Sequence, residues 1–477
     1  MELRTQPYIG GKFVDAASSF GVRNPWDDST VAQVGMADRK MLEEALAAAQ
    51  SAGAELQALK PYQRAELLAA ISAKIAERKE ELAKLIVSEV GKPIALARGE
   101  VERAVGTFKI ASEEARRLTG ELHWQEAYGE AGGEYALIRR FPVSPVLAIT
   151  PFNFPLNLVA HKVAPALAVG SAVLHKPSRS CPLTALALAD VYDEVGVPAG
   201  ALNVVPCAPG ELDFLVASHA VKKISFTGSA EVGWKLKSAC RKKKITLELG
   251  GNAAVVVDEV DDLAAVAGSV ARAAFAYAGQ VCISVQRILV REELYDDFVR
   301  ELAVYTQNEI QSGDPWDEQV LVGPMITQKD VERVGQWVAE AVDAGAEVLA
   351  GGESEGSLFK PTLLAKVPKD ARVWCEEAFA PLAVLASYKS FEDAVAMVND
   401  SRFGLQAGYF VRDMDKVLYA YNHTEVGAVI INETPIVRLD QLPYGGVKDS
   451  GFGREGLRFA MDELTEPRML VMKPGRL

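Results

Sequence analysis

Cys282 stands in the run Gly279-Gln280-Val281-Cys282-Ile283-Ser284, and Glu248 stands 34 positions earlier in Leu247-Glu248-Leu249-Gly250-Gly251. A cysteine flanked by glycine, glutamine and serine suits an open site better than core packing. A carboxylate that ends the strand-like run Lys244-Ile245-Thr246-Leu247, with two glycines close behind, can turn toward such a site. Together they offer a sulfur nucleophile and a general base, the pair that covalent catalysis needs.

Other stretches have the chemistry of a dinucleotide site. Phe226-Thr227-Gly228-Ser229 follows a strand and opens a helix. Backbone at Gly228 can approach a phosphate, the helix N-terminus supplies free N–H groups, and Ser229 adds a hydroxyl donor. Lys176 ends the apolar run Ala172-Val173-Leu174-His175, at the strand end where doubly wound sheets bind ligands. Gly451-Phe452-Gly453-Arg454-Glu455-Gly456 spells G-x-G-x-x-G, but it follows the polar loop Lys448-Asp449-Ser450 instead of a buried strand. It is therefore not read as the phosphate loop.

These motifs, with Thr150-Pro151-Phe152-Asn153-Phe154-Pro155, Lys176-Pro177-Ser178, Glu376-Glu377-Ala378-Phe379-Ala380-Pro381 and Tyr444-Gly445-Gly446-Val447-Lys448, occur in one order along nearly the whole chain. In that order they resemble the aldehyde dehydrogenase superfamily, nearest in character to its lactaldehyde-type, small-aldehyde branches. The resemblance implies NAD(P)-dependent oxidation of an aldehyde to a carboxylic acid. It gives Cys282 as nucleophile, Glu248 as base, Asn153 with the Cys282 N–H as oxyanion hole, and Lys162 with Glu455 as a proton relay. It places the cofactor against Thr150, Pro151, Phe152, Lys176, Ser178, Gly228, Ser229, Leu249, Gly250, Glu377 and Phe379. Three residues after the lysine, where NAD-preferring relatives often carry a glutamate, this chain has Arg179, which can pair with a 2′-phosphate and so admits NADP. Substrate candidates are Phe154, Arg103, Val281, Ile283 and Arg438, with the two arginines able to meet an anionic group. Transfer of the acyl group to coenzyme A is an alternative to hydrolysis. A non-catalytic homologue is a further one, which the presence of Cys282, Glu248 and Asn153 disfavours.

The elements that must position these residues read as α/β. Helical stretches are expected over 41–59, 63–90 and 94–118. Short apolar runs then alternate with helices from Val146 to Phe226, the pattern of a parallel sheet covered on both faces. The alternation restarts at Ala253-Ala254-Val255-Val256-Val257 and continues to about residue 432. The expected fold is a Rossmann-like parallel-sheet cofactor domain (1–119 and 143–250), an α/β catalytic domain (251–449), and a return to the cofactor domain (450–464). A small β oligomerisation extension (120–142 and 465–477) completes it, with a hairpin turn at Gly132-Gly133. The apolar segment Met469-Leu470-Val471-Met472 has no partner near in sequence, and the resemblance implies that such a tail pairs with a neighbouring subunit in a homodimer or homotetramer.

A chain of 477 residues exceeds what one core serves, and its 49% apolar and 24% charged residues are ordinary for a globular protein. A net charge of −13 argues against nucleic acid or an anionic membrane as partner. Five scattered cysteines without C-x-x-C spacing point to a reducing compartment, and five dispersed histidines without H-E-x-x-H call for no metal. With no signal-like start, the cytoplasm is the expected location.

Overall fold

The computed structural model describes residues 3–124 and 135–472. The Gly132-Gly133 turn and the end of the tail, 473–477, lie outside the described residues.

Short β-rich runs become strands buried on both faces, and in Lys223–Thr227 and Lys244–Glu248 the alternating polar residues are largely buried with the apolar ones. Leu202–Val204, Val173–Lys176, Val146–Ile149, Lys223–Thr227 and Lys244–Glu248 lie side by side in that order, all parallel. The chain winds one way from Val146–Ile149 and the other way from Lys223–Thr227, so the topological switch falls between these two strands. Ligands bind beyond the strand ends at such a point, where the connecting loops part. The loops leaving it here are Pro151–Phe154 and Thr227–Ser229. The near edge carries the two-residue strand Gly451–Phe452, antiparallel, with Gly451 opposite Glu248. The G-x-G-x-x-G run thus flanks the carboxylate as a sheet edge, and its Gly456 has a packing role: a Cβ there would lie 2.0 Å from the Leu442 carbonyl oxygen.

A second sheet is built from Glu347–Ala350, Thr362–Ala365, Leu382–Tyr388, Val285–Arg291, Ala253–Val257, Gln406–Phe410 and Ala428–Ile431. Only its first strand runs antiparallel. The loop that carries Cys282 enters this sheet just before Val285. A third sheet pairs Thr465–Met472 with Tyr135–Pro142 over eight residues, and Tyr135–Pro142 with Glu121–Trp124. The terminal segment therefore does have a partner within its own chain, reached across more than 300 positions. Among the described residues nothing pairs with its outer edge, and Met469 is 61% and Leu470 53% exposed.

The helix expected over 63–90 is two helices, Pro61–Glu77 and Lys79–Val90. Arg78 interrupts them with φ −95° and ψ 18°. Its guanidinium reaches Glu81 at 2.9 Å, Glu194 at 3.2 Å and Asp190 at 3.3 Å, ties that hydrophobic spacing alone does not reveal. Among the described residues no helix is long and apolar enough to cross a membrane.

Candidate active site

A cavity of about 560 Å³ opens where the switch-point loops face the loop before Val285, and Cys282 lines it. The Cys282 loop is held by backbone shape. Tyr277, Ala278 and Gly279 all take positive φ (52°, 53° and 63°), a tight left-handed turn that only the last residue adopts without strain. A Cβ at Gly279 would sit 2.0 Å from the Ala380 carbonyl oxygen. Gln280 is a buried strut: its Oε1 accepts from the Ile326 N–H at 2.9 Å, and its Nε2 donates to the Pro324 and Tyr277 carbonyls at 3.2 and 3.3 Å. The glutamine beside the cysteine thus fixes the loop and does not face the cavity. Val281 and Ile283 flank the sulfur as apolar wall.

Cys282 Sγ lies 3.2 Å from the Tyr444 hydroxyl. Burial pushes the thiol up to about 11, against the opposing pull of the Tyr444 hydrogen bond and the Arg438 charge. Glu248 enters the same cavity from the end of its strand. Both its oxygens are buried without a hydrogen-bond partner. Burial first, and the negative charge of Glu455 second, hold its carboxyl well above the usual carboxylate range. Gly445 makes room for it, since a Cβ there would come within 2.9 Å of Glu248 Oε1. Asn153 Nδ2 donates one hydrogen to the Gln280 carbonyl at 3.0 Å, which leaves the other free. Among the described residues nothing accepts from the Cys282 N–H. Two donors near the sulfur therefore remain unspent.

Behind these groups runs a buried ionic chain. Lys162 Nζ donates to Glu455 Oε1 at 2.9 Å and to Ser225 Oγ at 3.1 Å. Arg438 Nη2 donates to Glu455 Oε2 at 3.0 Å and to His161 Nδ1 at 2.6 Å. His161 Nε2 meets Asp440 at 2.8 Å, and Arg103 donates to the same carboxylate at 2.9 Å. Despite its burial, Glu455 is held down to about 2 by Lys162 and Arg438, whereas Glu248 is held well above the usual range. Burial and the Arg438 charge press His161 down to about 4, so it is neutral near pH 7 and accepts from Arg438. Arg103 and Arg438 are thus both engaged with carboxylates; Arg438 Nε makes no hydrogen bond among the described residues and lies 3.6 Å from Asp440 Oδ1. Phe154 lies under the Lys92 ammonium at 3.7 Å, and that lysine pairs with buried Glu100. His161, Asp440, Lys92 and Glu100 escape sequence reasoning, because lone polar residues in helices and loops look like solvated surface.

The other half of the cavity has the features of a dinucleotide cradle. Thr227 Oγ1 is buried and unpartnered, and the Ser229 hydroxyl caps no N–H of the helix Ala230–Ala239 that it precedes. A Cβ at Gly228 would lie 2.5 Å from the Phe226 ring, and one at Gly250 would lie 2.0 Å from Glu377 Oε2. Glu377 accepts from the Gly251 N–H at 3.0 Å, and burial pushes its carboxyl up to about 7. Phe379 meets Phe152 edge-on at 5.9 Å. The cavity gathers Pro151, Phe152, Asn153, Gly228, Ser229, Leu249, Gly250, Glu377 and Phe379 with Cys282 and Glu248. Arg103, Phe154, Val281, Ile283 and Arg438 line it too. Lys162 and Glu455 line a small adjoining pocket. Thr150, Lys176, Ser178 and Arg179 stand apart, around the carboxyl end of Val173–Lys176. There Thr150 Oγ1 bonds His175 Nε2 at 2.9 Å, and exposed Arg179 lies over the Phe20 ring at 4.7 Å.

The aldehyde dehydrogenase family profile matches residues 13–470. The 3-sulfolactaldehyde dehydrogenase of Priestia aryabhattai is 40% identical over 98% of this chain and 97% of its own length. Aldehyde dehydrogenase 21 of Physcomitrella patens, solved in complex with the reaction product succinate, superposes with a TM-score of 0.97 at 38% identity, covering 100% of both chains. A glyceraldehyde-3-phosphate dehydrogenase of Methanocaldococcus jannaschii, solved with NADP, gives 0.91 at 36% identity over 96% of this chain and 100% of its own. The chain belongs to the aldehyde dehydrogenase family, NAD(P)-dependent oxidoreductases that oxidise aldehydes.

Proposed function

We propose that Cys282 and Glu248 carry this chain's aldehyde oxidation, ending in hydrolysis to a carboxylic acid. The observation that supports it most is the carboxyl of Glu248, buried with neither oxygen engaged in the cavity that Cys282 lines. A buried, unpartnered carboxyl is costly, and such a cost is characteristic of a functional group.

In this mechanism Cys282 Sγ, once ionised, attacks the aldehyde carbon, and the carbonyl π pair becomes an oxyanion. The free Nδ2 hydrogen of Asn153 and the Cys282 N–H hold that oxyanion. Pro151, Phe152, Gly228, Ser229, Leu249, Gly250, Glu377 and Phe379 would hold NAD or NADP, which would supply the hydride acceptor; loss of hydride from the carbon bound to Sγ turns the oxyanion adduct into a thioester. Glu248 then removes a proton from water, whose oxygen attacks the thioester carbon and expels the thiolate. Lys162 and Glu455 pass that proton on from Glu248. A free base positioned for water supports hydrolysis over transfer to coenzyme A.

Thr150, Lys176, Ser178 and Arg179 take the adenosine end of the dinucleotide, with Arg179 admitting a 2′-phosphate. The substrate is a small aldehyde of lactaldehyde type. The two guanidinium groups that line the cavity, Arg103 and Arg438, favour one with an anionic substituent. The first sheet with 1–119, 143–250 and 450–464 serves the cofactor, and 251–449 serves catalysis. The open edge of Thr465–Met472 joins subunits in a homodimer or homotetramer. Five free cysteines suit the cytoplasm. Cys282→Ala tests the core of this reading: turnover should vanish while NAD(P) still binds, and turnover near that of the wild type would refute it.

A further inference from the structure

The thiol of Cys282 has a single hydrogen-bonding partner among the described residues, and it is a phenol. Tyr444 Oη lies 3.2 Å from Sγ and bonds nothing else described. Tyr444 is 6% exposed and rigidly set. Its N–H donates to the Glu455 carbonyl at 3.0 Å, and its own carbonyl accepts from the Glu455 N–H at 2.7 Å. Ile283 and Leu405 pack beside the ring, and the Arg438 guanidinium lies over it at 3.7 Å. A phenylalanine would fill the same apolar space, so the hydroxyl is what needs a reason, and its one contact is the nucleophile.

While the sulfur is protonated, either atom can donate. Once it ionises it can only accept, and the contact becomes a charge-assisted hydrogen bond from a fixed donor. The phenol retains its proton throughout, because burial and the neighbouring Cys282 hold its ionisation well above the usual range. The cation over the ring face draws on its electron density and makes the O–H a better donor.

We infer that Tyr444 is a catalytic residue, whose phenol O–H donates to the Cys282 thiolate and favours the reactive, ionised sulfur. The thiol proton leaves to the ionised Glu248 carboxylate or to water. As the C–S bond forms, a sulfur lone pair moves to carbon, the carbonyl π pair moves to oxygen, and the phenol is released from sulfur with its proton in place. This rests on Cys282 being the nucleophile proposed above.

The test is the pH dependence of iodoacetamide alkylation at Cys282 in the full-length protein, with the modified peptide measured by mass. Loss of a hydrogen bond to a charged sulfur should move the midpoint of Tyr444→Phe up by about one to two pH units. The rate at the alkaline plateau should stay near that of the wild type. An unmoved midpoint overturns the inference, including the case where only the plateau rate falls, which would make the phenol a mere spacer. Should Tyr444→Phe fail to fold, 3-fluorotyrosine placed at 444 supplies a stronger donor of nearly the same shape. It should lower the midpoint, and no movement overturns the inference equally. Cys282→Ala separates the two readings: if it is inactive while the Tyr444 variants leave the midpoint alone, this inference alone fails, and if it turns over normally, both fail.

Discussion

Replacing Glu248 by glutamine should split the reaction into a preserved first half and a crippled second. Neither Glu248 oxygen makes a hydrogen bond, so the amide breaks none. It also ends the repulsion from Glu455. The melting temperature should accordingly stay within about 2 °C of the wild type, or rise. Loss of a general base costs on the order of a hundredfold to ten-thousandfold, and the loss should fall on thioester hydrolysis. Rapid mixing with aldehyde and cofactor should then show a burst of reduced cofactor followed by a slow steady state. The wild-type steady state carries a second signature. Only ionised Glu248 takes a proton, and its carboxyl is held well above the ordinary range by burial and Glu455, so deacylation should increase as pH rises through that raised pKa. Glu248→Gln should lose this rise. A uniformly slow first turnover without a burst would reassign Glu248 to activating the thiol. A fall of many degrees in melting temperature would make the residue structural.

Arg179→Glu should weaken NADP relative to NAD. Because Arg179 is exposed, the effect belongs at the low end for a charge-assisted contact, about tenfold in the ratio of dissociation constants at fixed salt. An unchanged ratio would show that Arg179 does not meet the cofactor. Among aldehydes of equal length, those with a carboxylate or sulfonate should show the higher kcat/KM, and the advantage should survive added salt because Arg438 is buried; equal values would dismiss the arginines as selectors. Glu89 is fully buried and accepts from the Leu183 and Thr184 N–H groups at 2.6 and 2.8 Å, at the start of the helix Pro182–Val195. Glu89→Ala should cost about 2–5 kcal/mol in chemical denaturation, as these donors lose their acceptor inside the core. A loss below about 1 kcal/mol would mean that water replaces the carboxylate.

What this sequence determines by itself is chemistry and local form. Cysteine and glutamate in short runs with glycine offer a nucleophile and a base, while an asparagine in a loop reads as a turn former and becomes a donor only through the resemblance. Unbroken apolar strands alternating with helices require a parallel sheet covered on both faces, because period and composition act over a few residues. A helix break set by a remote tie is not written that way. The interruption at Arg78 depends on Asp190 and Glu194, more than 100 positions away. The partner of Thr465–Met472 is likewise invisible in its neighbourhood, since backbone pairing can close a loop of any length. The same holds at the site. Tyr444 meets Cys282 across 162 positions, and Lys162 meets Glu455 across 293. Glu248 and Glu455 are the same residue type, yet one is held well above the usual range and the other down to about 2. Burial sets the first and two adjacent cations set the second, and only the tertiary structure fixes depth and distance.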